Sequence, residues 1–326
     1  METRCCVKKV FEIRPEYKIF VAGHKGMVGS AVVRQFQCRG FSHFVLRSRA
    51  ELDLMDTEAV KKFFTREKPD IVIDAAARVG GIKANNEHKA EFLYENLVIQ
   101  NNIIHQAYVH GVKKFCFLGS SCVFPRVCPQ PMKEEYLLTG ALEPTNEGYA
   151  LAKISGLKMV EYYNRQYGFP GISLMPCNLY GTNDCFDLDK SHVLSALVKK
   201  TVDAVDEGRD EVPIWGTGSA LREFLHVDDA AAAILYMMEY YDSPEFINVG
   251  SGKDVTIRWL AELIADKAGF RGRLAWDTGK PDGMARKCMD ISRMKALGFA
   301  PGISLPEGVE RTIAEYRALK QKPSIR

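Results

Sequence analysis

Short apolar segments alternate with longer amphipathic segments from Lys18 to about Asn248, and this alternation constrains the fold more than any other feature. The apolar segments are strand-like and hydrophobic at successive positions, so both faces of each strand must be covered. The amphipathic segments between them supply helices for both faces. The pattern therefore predicts an α/β fold with a doubly wound parallel sheet. The predicted strands are 18–23, 43–47, 70–77, 113–120, 171–176, 211–216 and 245–252, and the predicted helices are 32–40, 57–68, 88–111, 147–168 and 228–241.

The alternation loosens after Gly181, where the loops become longer and strands and helices no longer take turns. A chain of 326 residues is long enough for one large domain or for two domains that share a cleft. We therefore expect a smaller α/β substrate-binding domain built from two inserted stretches. The predicted division is 1–17 for an N-terminal extension, 18–180 and 224–250 for the main domain, and 181–223 and 251–326 for the smaller one.

Composition and charge exclude several classes of protein. The formal net charge is only +3, and Lys and Arg are scattered along the chain, so we expect no nucleic acid partner. No apolar run is long enough to cross a bilayer, and the first residues lack the apolar core of a secretory signal. The nine cysteines form no C-x-x-C pair and no zinc-like spacing with histidine. We therefore expect reduced thiols, no metal and a cytoplasmic location.

A glycine-rich loop directly follows the first predicted strand. The stretch VAGHKGMVGSAVV places Gly23, Gly26 and Gly29 where a strand passes into a helix. One glycine permits the tight turn, another lets the backbone approach a pyrophosphate, and the last lets the helix pack against the sheet. The helix N-terminus then faces the phosphates with unpaired N–H groups. This context predicts a Rossmann-type, dinucleotide-binding sheet.

Positive charges near this loop indicate which dinucleotide binds. NAD sites usually carry an acidic residue about 20 residues beyond the loop, at the end of the second strand. Here that region holds Arg47 and Arg49 instead, and Lys25 lies inside the loop. Cations suit a 2′-phosphate, so the sequence favours NADP(H) over NAD(H). Alternatively, each arginine taken alone is a solvated surface charge.

A second motif indicates a proton donor. Tyr149 and Lys153 are four residues apart on a predicted helix, so their side chains share one face. An ammonium group near a phenol stabilises the phenolate, so we expect Lys153 to lower the pKa of Tyr149 toward neutral pH. Such a tyrosine can protonate a carbonyl oxygen as hydride reaches the carbon. The pair alone is also typical of an exposed helix face, and Ser120 at a strand end makes the catalytic interpretation more specific.

Cys122 stands two residues beyond Ser120, in the stretch LGSSCVF, where a strand passes into a loop. A thiol at such a place is a small buried residue, a redox group, a nucleophile or an acid/base group. His192 raises a similar choice, since a histidine at the start of a helix often makes only structural hydrogen bonds. The residues alone leave these alternatives open.

Together these motifs resemble those of the extended short-chain dehydrogenase/reductase family. The resemblance extends from Lys18 to about Leu319 and rests on the stretches AGHKGMVGSA, AARVGGIKANN, LGSSCVFP, LEPTNEGYALAKISG, WGTGSALREFLHVDDAA, INVGSG and KPDG. Within that family, it implies an enzyme that epimerises C3 and C5 of GDP-4-keto-6-deoxy-D-mannose and then reduces C4 with NADPH. It also implies a homodimer formed through a four-helix bundle.

The resemblance implies roles for individual residues. Ser120 contacts the substrate carbonyl, Tyr149 donates the proton in the reduction, and Lys153 is its partner. Cys122 and His192 form the acid/base pair of the epimerisation. The implied substrate-binding residues are Lys200, Trp215, Arg222 and Asp282. The cofactor-binding set, including the loop and the arginines above, is Gly23, His24, Lys25, Gly26, Met27, Val28, Gly29, Arg47, Arg49, Leu118, Gly119, Ser120, Ser121, Lys153, Pro176, Asn178, Leu179 and His192.

Two other interpretations of the site are open. One is another nucleotide-sugar enzyme of the family: a dehydratase, a 4-epimerase or a simple 4-reductase. Cys122 argues against the first two, since the resemblance implies a carboxylate or a small neutral residue at this position in those enzymes. The other is an NADP-binding sensor without catalysis, which would not need Ser120, Tyr149 and Lys153.

The two long predicted helices, 88–111 and 147–168, are apolar on more than one face. One face must cover the sheet, and the other is predicted to meet a partner. The apolar side chains concerned include Phe92, Leu93, Ile99, Ile103, Met159 and Tyr163.

Overall fold

The computed structural model describes residues 7–188, 190–280 and 282–321, so residues 1–6 of the predicted extension and 322–326 of the predicted smaller domain lie outside it. The strands are β1 (Ile19–Ala22), β2 (Phe44–Val45), β3 (Ile71–Asp74), β4 (Lys114–Leu118), β5 (Gly171–Pro176), β6 (Asn178–Tyr180), β7 (Glu211–Trp215), β8 (Leu221–His226), β9 (Ile247–Val249), β10 (Asp254–Thr256), β11 (Arg273–Asp277) and β12 (Arg286–Lys287). The helices are α1 (Met27–Cys38), α2 (Thr57–Glu67), α3 (Ile82–Glu87), α4 (Lys89–Val109), α5 (Glu147–Tyr167), α6 (Val193–Asp206), α7 (Val227–Tyr240), α8 (Ile257–Ala268), α9 (Ser292–Ala296) and α10 (Leu305–Gln321). No helix in these ranges is both long and apolar enough to cross a membrane.

Six strands form the central sheet in the order β2–β1–β3–β4–β5–β9, and every neighbouring pair is parallel. Successive side chains of a strand point to opposite faces, and β4 shows that both faces are covered. Lys114 donates to the Tyr241 carbonyl at the end of α7, whereas the Phe117 ring packs against Gly156 of α5. On the first face α1 packs on α7, and on the second α2 and α5 pack on α4. The predicted α/β fold with a Rossmann-type parallel sheet is therefore confirmed.

The order of the strands sets the position of the ligand crevice. β1 lies between β2 and β3, so the chain first builds from β1 toward one edge of the sheet, at β2, and then crosses to the other side of β1, at β3. In open α/β folds the crevice at such a switch point, at the carboxyl ends of the strands, binds the ligand. Here the loops after β1 and β3 meet at that point, since Gly23 lies against Ala75.

Two predicted strands differ in extent or partner. Only Phe44 and Val45 of the predicted strand 43–47 are in β2, so Arg47 and Arg49 lie in the following loop. The predicted strand 211–216 forms β7, which pairs with β11 outside the central sheet.

A separate small sheet is centred on β8, which pairs with β6, β10 and β12. A second hydrophobic core lies beside it, between α6, α8 and α10. β8 contributes Phe224 to this second core and Leu225 to the core of the central sheet. It therefore runs across the predicted domain boundary at 223/224, and the exact division of the chain stays a prediction.

The described part of the predicted extension packs on the main core. The backbone N–H groups of Val10 and Phe11 donate to the Glu239 carbonyl, and the side chains of Ile13 and Tyr17 are buried. These residues therefore belong to the folded body of the protein.

Candidate active site

The loop after β1 is shaped for close contact with a ligand. Gly23 has a φ of +75°, and a side chain there would come within 2.7 Å of the Ala75 carbonyl oxygen. A side chain at Gly29 would strike the Gly23 carbonyl. Gly26 immediately precedes α1 as its N-cap residue, and no side chain caps the helix there. The first turn of α1 has no acidic residue. The positive end of the α1 dipole thus faces the crevice, which fits a pyrophosphate.

The two arginines beyond β2 differ in their surroundings. Arg47 donates to the Glu67 carboxylate at 2.9 Å, because the end of α2 brings Glu67 beside it. Arg49 and Lys25 are exposed on loops at the same edge of the sheet. Arg49 and Lys25 are therefore better available to a 2′-phosphate than Arg47.

Four of the predicted cofactor-binding residues line one small apolar cavity. Val28 of α1, Leu118 at the end of β4, Pro176 at the end of β5 and Leu179 of β6 surround it, together with side chains from α7 and β9. The structure thus brings together residues that are distant in the sequence. Further members of the set lie near them: His24 after β1 and Met27 at the start of α1, Gly119 and Ser121 after β4, and Asn178 at the start of β6.

Ser120, Cys122 and Tyr149 form a compact group. Ser120 follows β4, Cys122 lies in the 3₁₀ turn Ser121–Val123, and Tyr149 is in the first turn of α5. The Ser120 hydroxyl lies close enough to both other side chains to lower the pKa of each. Cys122 is only 7% exposed, whereas Tyr149 is partly exposed. A hydroxyl, a thiol and a phenol therefore lie close together at the end of β4 and the start of α5.

Lys153 lies behind Tyr149 rather than beside its hydroxyl. Its Nζ atom donates to the Leu118 carbonyl at 2.9 Å and is 5.9 Å from the centroid of the Tyr149 ring. Burial raises the pKa of Tyr149, the charge of Cys122 raises it further, and the nearby Ser120 hydroxyl lowers it. The expectation that Lys153 lowers the Tyr149 pKa is therefore wrong for this structure, because the ammonium is turned toward a carbonyl and the phenol is enclosed.

Asp74 is a buried carboxylate that the sequence analysis missed. It ends β3, and Oδ1 accepts from the Ala76 N–H at 3.2 Å, whereas Oδ2 has no partner in the described part of the chain. Burial raises the pKa of Asp74 to about 6, and the charge of Lys153 opposes that rise. Burial lowers the pKa of Lys153, and Asp74 is the main influence against it. The signal was a charged residue at the end of the apolar run IVID.

Lys287 is the second residue that the sequence analysis missed. It lies on β12, where parallel pairing places it opposite Arg222 of β8. Burial raises the pKa of Cys122, and the positive charge of Lys287 is the largest influence that lowers it. Lys287 also interacts electrostatically with Arg222 and Cys177. Nothing in the local stretch ARKCMD marks this lysine, because strand pairing sets its position.

His192 lies apart from the compact group. It immediately precedes α6, its side chain is exposed, and it makes no capping hydrogen bond. Its backbone carbonyl accepts from the Ala196 N–H at 2.9 Å. Among the described residues, no hydrogen bond or charge interaction joins His192 to Cys122. Among the described residues, the His192 ring thus makes no structural capping bond to α6 and has no direct interaction with the Cys122 thiol.

The predicted substrate-binding residues lie around β7 and β8. Trp215 ends β7 with 67% of its surface exposed, and the Lys280 ammonium lies 5.5 Å from the centroid of its ring. Arg222 on β8 is half-buried, and its pKa is lowered by burial and raised by the charge of Asp282. Lys200 of α6 donates to the Pro213 carbonyl at 3.1 Å.

Asp282 is engaged within the protein. Its two carboxylate oxygens accept from the backbone N–H and the hydroxyl of Thr217, each at 2.7 Å. These bonds shape the turn that follows Trp215. Asp282 therefore supports the wall of the site with a carboxylate that is already hydrogen-bonded.

Comparison with known proteins gives a consistent result. A model of the NAD dependent epimerase/dehydratase family matches residues 19–250. The chain is 54% identical over 299 residues to GDP-L-fucose synthase 1 of Arabidopsis thaliana, covering 92% of this chain and 93% of the relative. It is 49% identical over 304 residues to GDP-L-fucose synthase of Escherichia coli (strain K12), covering 90% and 95%. The solved structure of a GDP-L-fucose synthetase from Naegleria fowleri bound to NADP matches with a TM-score of 0.88 at 28% identity, covering 96% of this chain and 97% of that one.

Proposed function

The chain belongs to the NAD dependent epimerase/dehydratase family, and from this membership we propose that it converts GDP-4-keto-6-deoxy-D-mannose into GDP-L-fucose. The reaction has two parts, epimerisation at C3 and C5 and NADPH-dependent reduction at C4. The names of relatives at 49% and 54% identity support it. The observation that carries the proposal is that the Ser120 hydroxyl lies near both a thiol, as an acid/base group, and a phenol, as a proton donor, and lowers the pKa of each.

The cofactor is NADP(H), in keeping with the NADP-bound relative. The glycines after β1, where any side chain would clash with the backbone, and the N-terminus of α1, which has no side-chain cap, fit its pyrophosphate. Arg49 and Lys25 suit its 2′-phosphate. When bound, NADPH supplies the hydride that reduces C4 of the sugar.

Cys122 is the base for epimerisation. Protons on C3 and C5 are acidic because removing either one leaves an enolate whose charge spreads onto the C4 oxygen. Ser120 and Tyr149 donate hydrogen bonds to that oxygen. Cys122 removes the proton as a thiolate, which the charge of Lys287 favours and burial opposes. His192 delivers a proton to the opposite face of the carbon, which inverts it.

Tyr149 is the acid for the reduction. Because its pKa is raised, the phenol keeps its proton at neutral pH and can give it up as negative charge develops on the C4 oxygen. Lys153 is the buried partner behind the ring, and its ammonium donates to the Leu118 carbonyl at 2.9 Å.

Arg222, Lys200 and Trp215 bind the GDP moiety. The planar guanidinium of Arg222 matches the oxygens of a diphosphate, and Lys200 adds a second positive charge. Lys200 stands where the resemblance implies arginine, so it keeps the charge without the bidentate geometry. The exposed Trp215 ring offers a stacking surface for a base.

The test is to incubate the protein with NADPH and GDP-4-keto-6-deoxy-D-mannose and to identify the product. We expect NADPH loss together with a product inverted at C3 and C5. Reduction without inversion would identify a simple 4-reductase instead. Binding of NADPH without any turnover would identify a sensor.

Arg49→Glu is expected to weaken NADPH binding by about 10- to 100-fold, since a hydrogen bond to a charged group is worth about 1.5–3 kcal/mol. NADH lacks the 2′-phosphate, so its affinity should stay unchanged. Fluorescence titration with each cofactor measures both values. The matched control is Arg271→Glu, because Arg271 is an exposed arginine on the loop between α8 and β11. Equal affinities of the wild-type protein for NADPH and NADH would contradict this prediction.

We propose that the protein forms a homodimer through α4 and α5. Phe92 and Ile103 are buried within the monomer, so they serve its own core. Other apolar side chains of the two helices are exposed on the surface: Tyr94, Val109, Leu151, Tyr162 and Tyr167. Two such helices from each subunit, related by a two-fold axis, would form a four-helix bundle that covers them.

Sedimentation at micromolar concentration is expected to give twice the 36.6 kDa mass of one chain. Leu151→Glu should shift this to the monomer mass, because it buries a charge in the interface. Leu319→Glu changes a leucine of similar exposure on α10, 44% against 41%, and should leave the dimer intact. A monomeric wild-type protein would refute the proposed assembly.

A cytoplasmic location fits this activity. The seven cysteines within the described residues are all free. Unpaired thiols persist in a reducing compartment, which is where we place the protein.

A further inference from the structure

Glu223 is a carboxylate that the mechanism above does not use, although it is 1% exposed and adjacent to Arg222. Oε1 accepts from the Gly252 N–H at 2.6 Å, and Oε2 accepts from the Met289 N–H at 2.8 Å. Its backbone carbonyl accepts from the Asn178 side chain at 2.8 Å. A buried charge is costly unless it is fully hydrogen-bonded, so this arrangement is a specific one.

The segments that Glu223 joins flank the substrate side of the site. Gly252 lies in the turn between β9 and β10, and Met289 lies shortly beyond β12, after Cys288. β12 has only two residues, and its register places Lys287 opposite Arg222. Because paired residues of neighbouring strands share a face, these two cations stand side by side, while Glu223 points to the opposite face. The Glu223 carboxylate therefore links β8 to the segment after β12, on the face opposite Arg222 and Lys287.

We propose that Glu223 is a positioning residue that acts through β12: its carboxylate holds Lys287 beside Arg222 where the diphosphate of the sugar nucleotide binds. The inference rests on the function proposed above. It adds a requirement that the carboxylate be ionised, because only the anion accepts both N–H bonds without bringing a proton of its own.

The charge state of Glu223 makes this requirement measurable. Burial raises the pKa of Glu223 to about 7, and the N–H groups of Met289 and Gly252 oppose that rise. The titratable and charged groups that face it are Cys177, between β5 and β6, Cys288, after β12, and the ion pair of Asp254 on β10 with Arg286 on β12. Burial raises the pKa of both thiols, that of Cys288 to about 12, so both stay neutral while Glu223 titrates. GDP binding should therefore tighten as the pH rises through about 7. A histidine or lysine contact to the diphosphate would give the opposite trend, because these groups lose positive charge as the pH rises.

The experiment is calorimetric titration of the NADP-saturated protein with GDP-mannose between about pH 6 and pH 8, because both of its phosphates are esterified and keep their charge, whereas the terminal phosphate of free GDP titrates in this range. GDP affinity here means the affinity for this sugar nucleotide. For the wild-type protein we expect GDP affinity to rise several-fold over this range. Glu223→Gln should bind GDP about tenfold more weakly at the upper end, as expected for one lost partner of a buried group, and should lose the pH dependence. NADP affinity should be unchanged. Glu211→Gln, which alters a half-exposed glutamate on β7, should behave as wild type.

A wild-type affinity that is independent of pH or falls with pH would overturn the inference, as would a Glu223→Gln variant that matches wild type. If that variant does not fold, the wild-type titration still decides. Turnover of GDP-4-keto-6-deoxy-D-mannose by wild type, measured in parallel, tests the proposed function separately. Normal turnover with an unaltered Glu223→Gln variant would reject this inference alone.

Discussion

Cys122→Ser is expected to stop the exchange of the C3 and C5 protons of the keto sugar with solvent, by at least about 100-fold. Serine has nearly the shape of cysteine, but its hydroxyl is far less acidic than a thiol. In the proposed mechanism a thiolate forms there against the cost of burial and with the help of Lys287, and an alkoxide would not form there at neutral pH. The measurement is deuterium uptake by the sugar in deuterated water, with NADP⁺ in place of NADPH so that no reduction intervenes.

Cys177→Ser is the matched control for this variant. Cys177 has the same 7% exposure and lies just beyond β5, but it has no role in the proposed chemistry. Both variants should bind NADPH and GDP normally. Wild-type uptake of deuterium by Cys122→Ser would return Cys122 to the status of a small buried residue.

Tyr149→Phe is expected to give the reverse pattern, in which deuterium enters the sugar while NADPH consumption nearly stops. The loss of a positioned proton donor costs about 100- to 10,000-fold in rate. Exchange should continue, more slowly, because Cys122 and Ser120 remain in place. NADPH absorbance and isotope uptake, followed in parallel samples, separate the two reactions.

Tyr236→Phe removes a comparable hydroxyl at a distance from the site. That hydroxyl donates to the Leu297 carbonyl at 2.6 Å, so its loss affects packing of α7 rather than catalysis. NADPH consumption should stay near wild type in this control. If Tyr149→Phe consumed NADPH at the same rate, the proton in the reduction would come from another group.

The central sheet and the dinucleotide loop could be predicted because their signals are local. Runs such as IVID and KFCFL are apolar at successive positions, and only buried parallel strands use that pattern widely. The glycines after β1 and the pairing of Tyr149 with Lys153 likewise depend on spacing within one segment. The structure has the close approach at the glycines and places Lys153 near the Tyr149 ring, as the spacing predicts. The pKa of Tyr149 shifts in the direction opposite to the prediction, because burial of the phenol raises it.

The small sheet around β8 and its charged residues could not be predicted in the same way. β12 has two residues, and neither propensity nor periodicity identifies a strand so short. Lys287 and Glu223 gain their roles from the register of β12 on β8 and from backbone donors on distant loops. The pairing of Arg47 with Glu67 depends in the same way on where α2 ends.

The thiol and the cation that assists it come from different parts of the chain. Cys122 follows β4 of the central sheet, whereas Lys287 lies on β12, beyond the span 19–250 that defines the family match. A gene fragment limited to that span would keep Cys122 but lose Lys287. If the proposed mechanism holds, recombination at the family boundary therefore separates the base of the epimerisation from the charge that favours its thiolate.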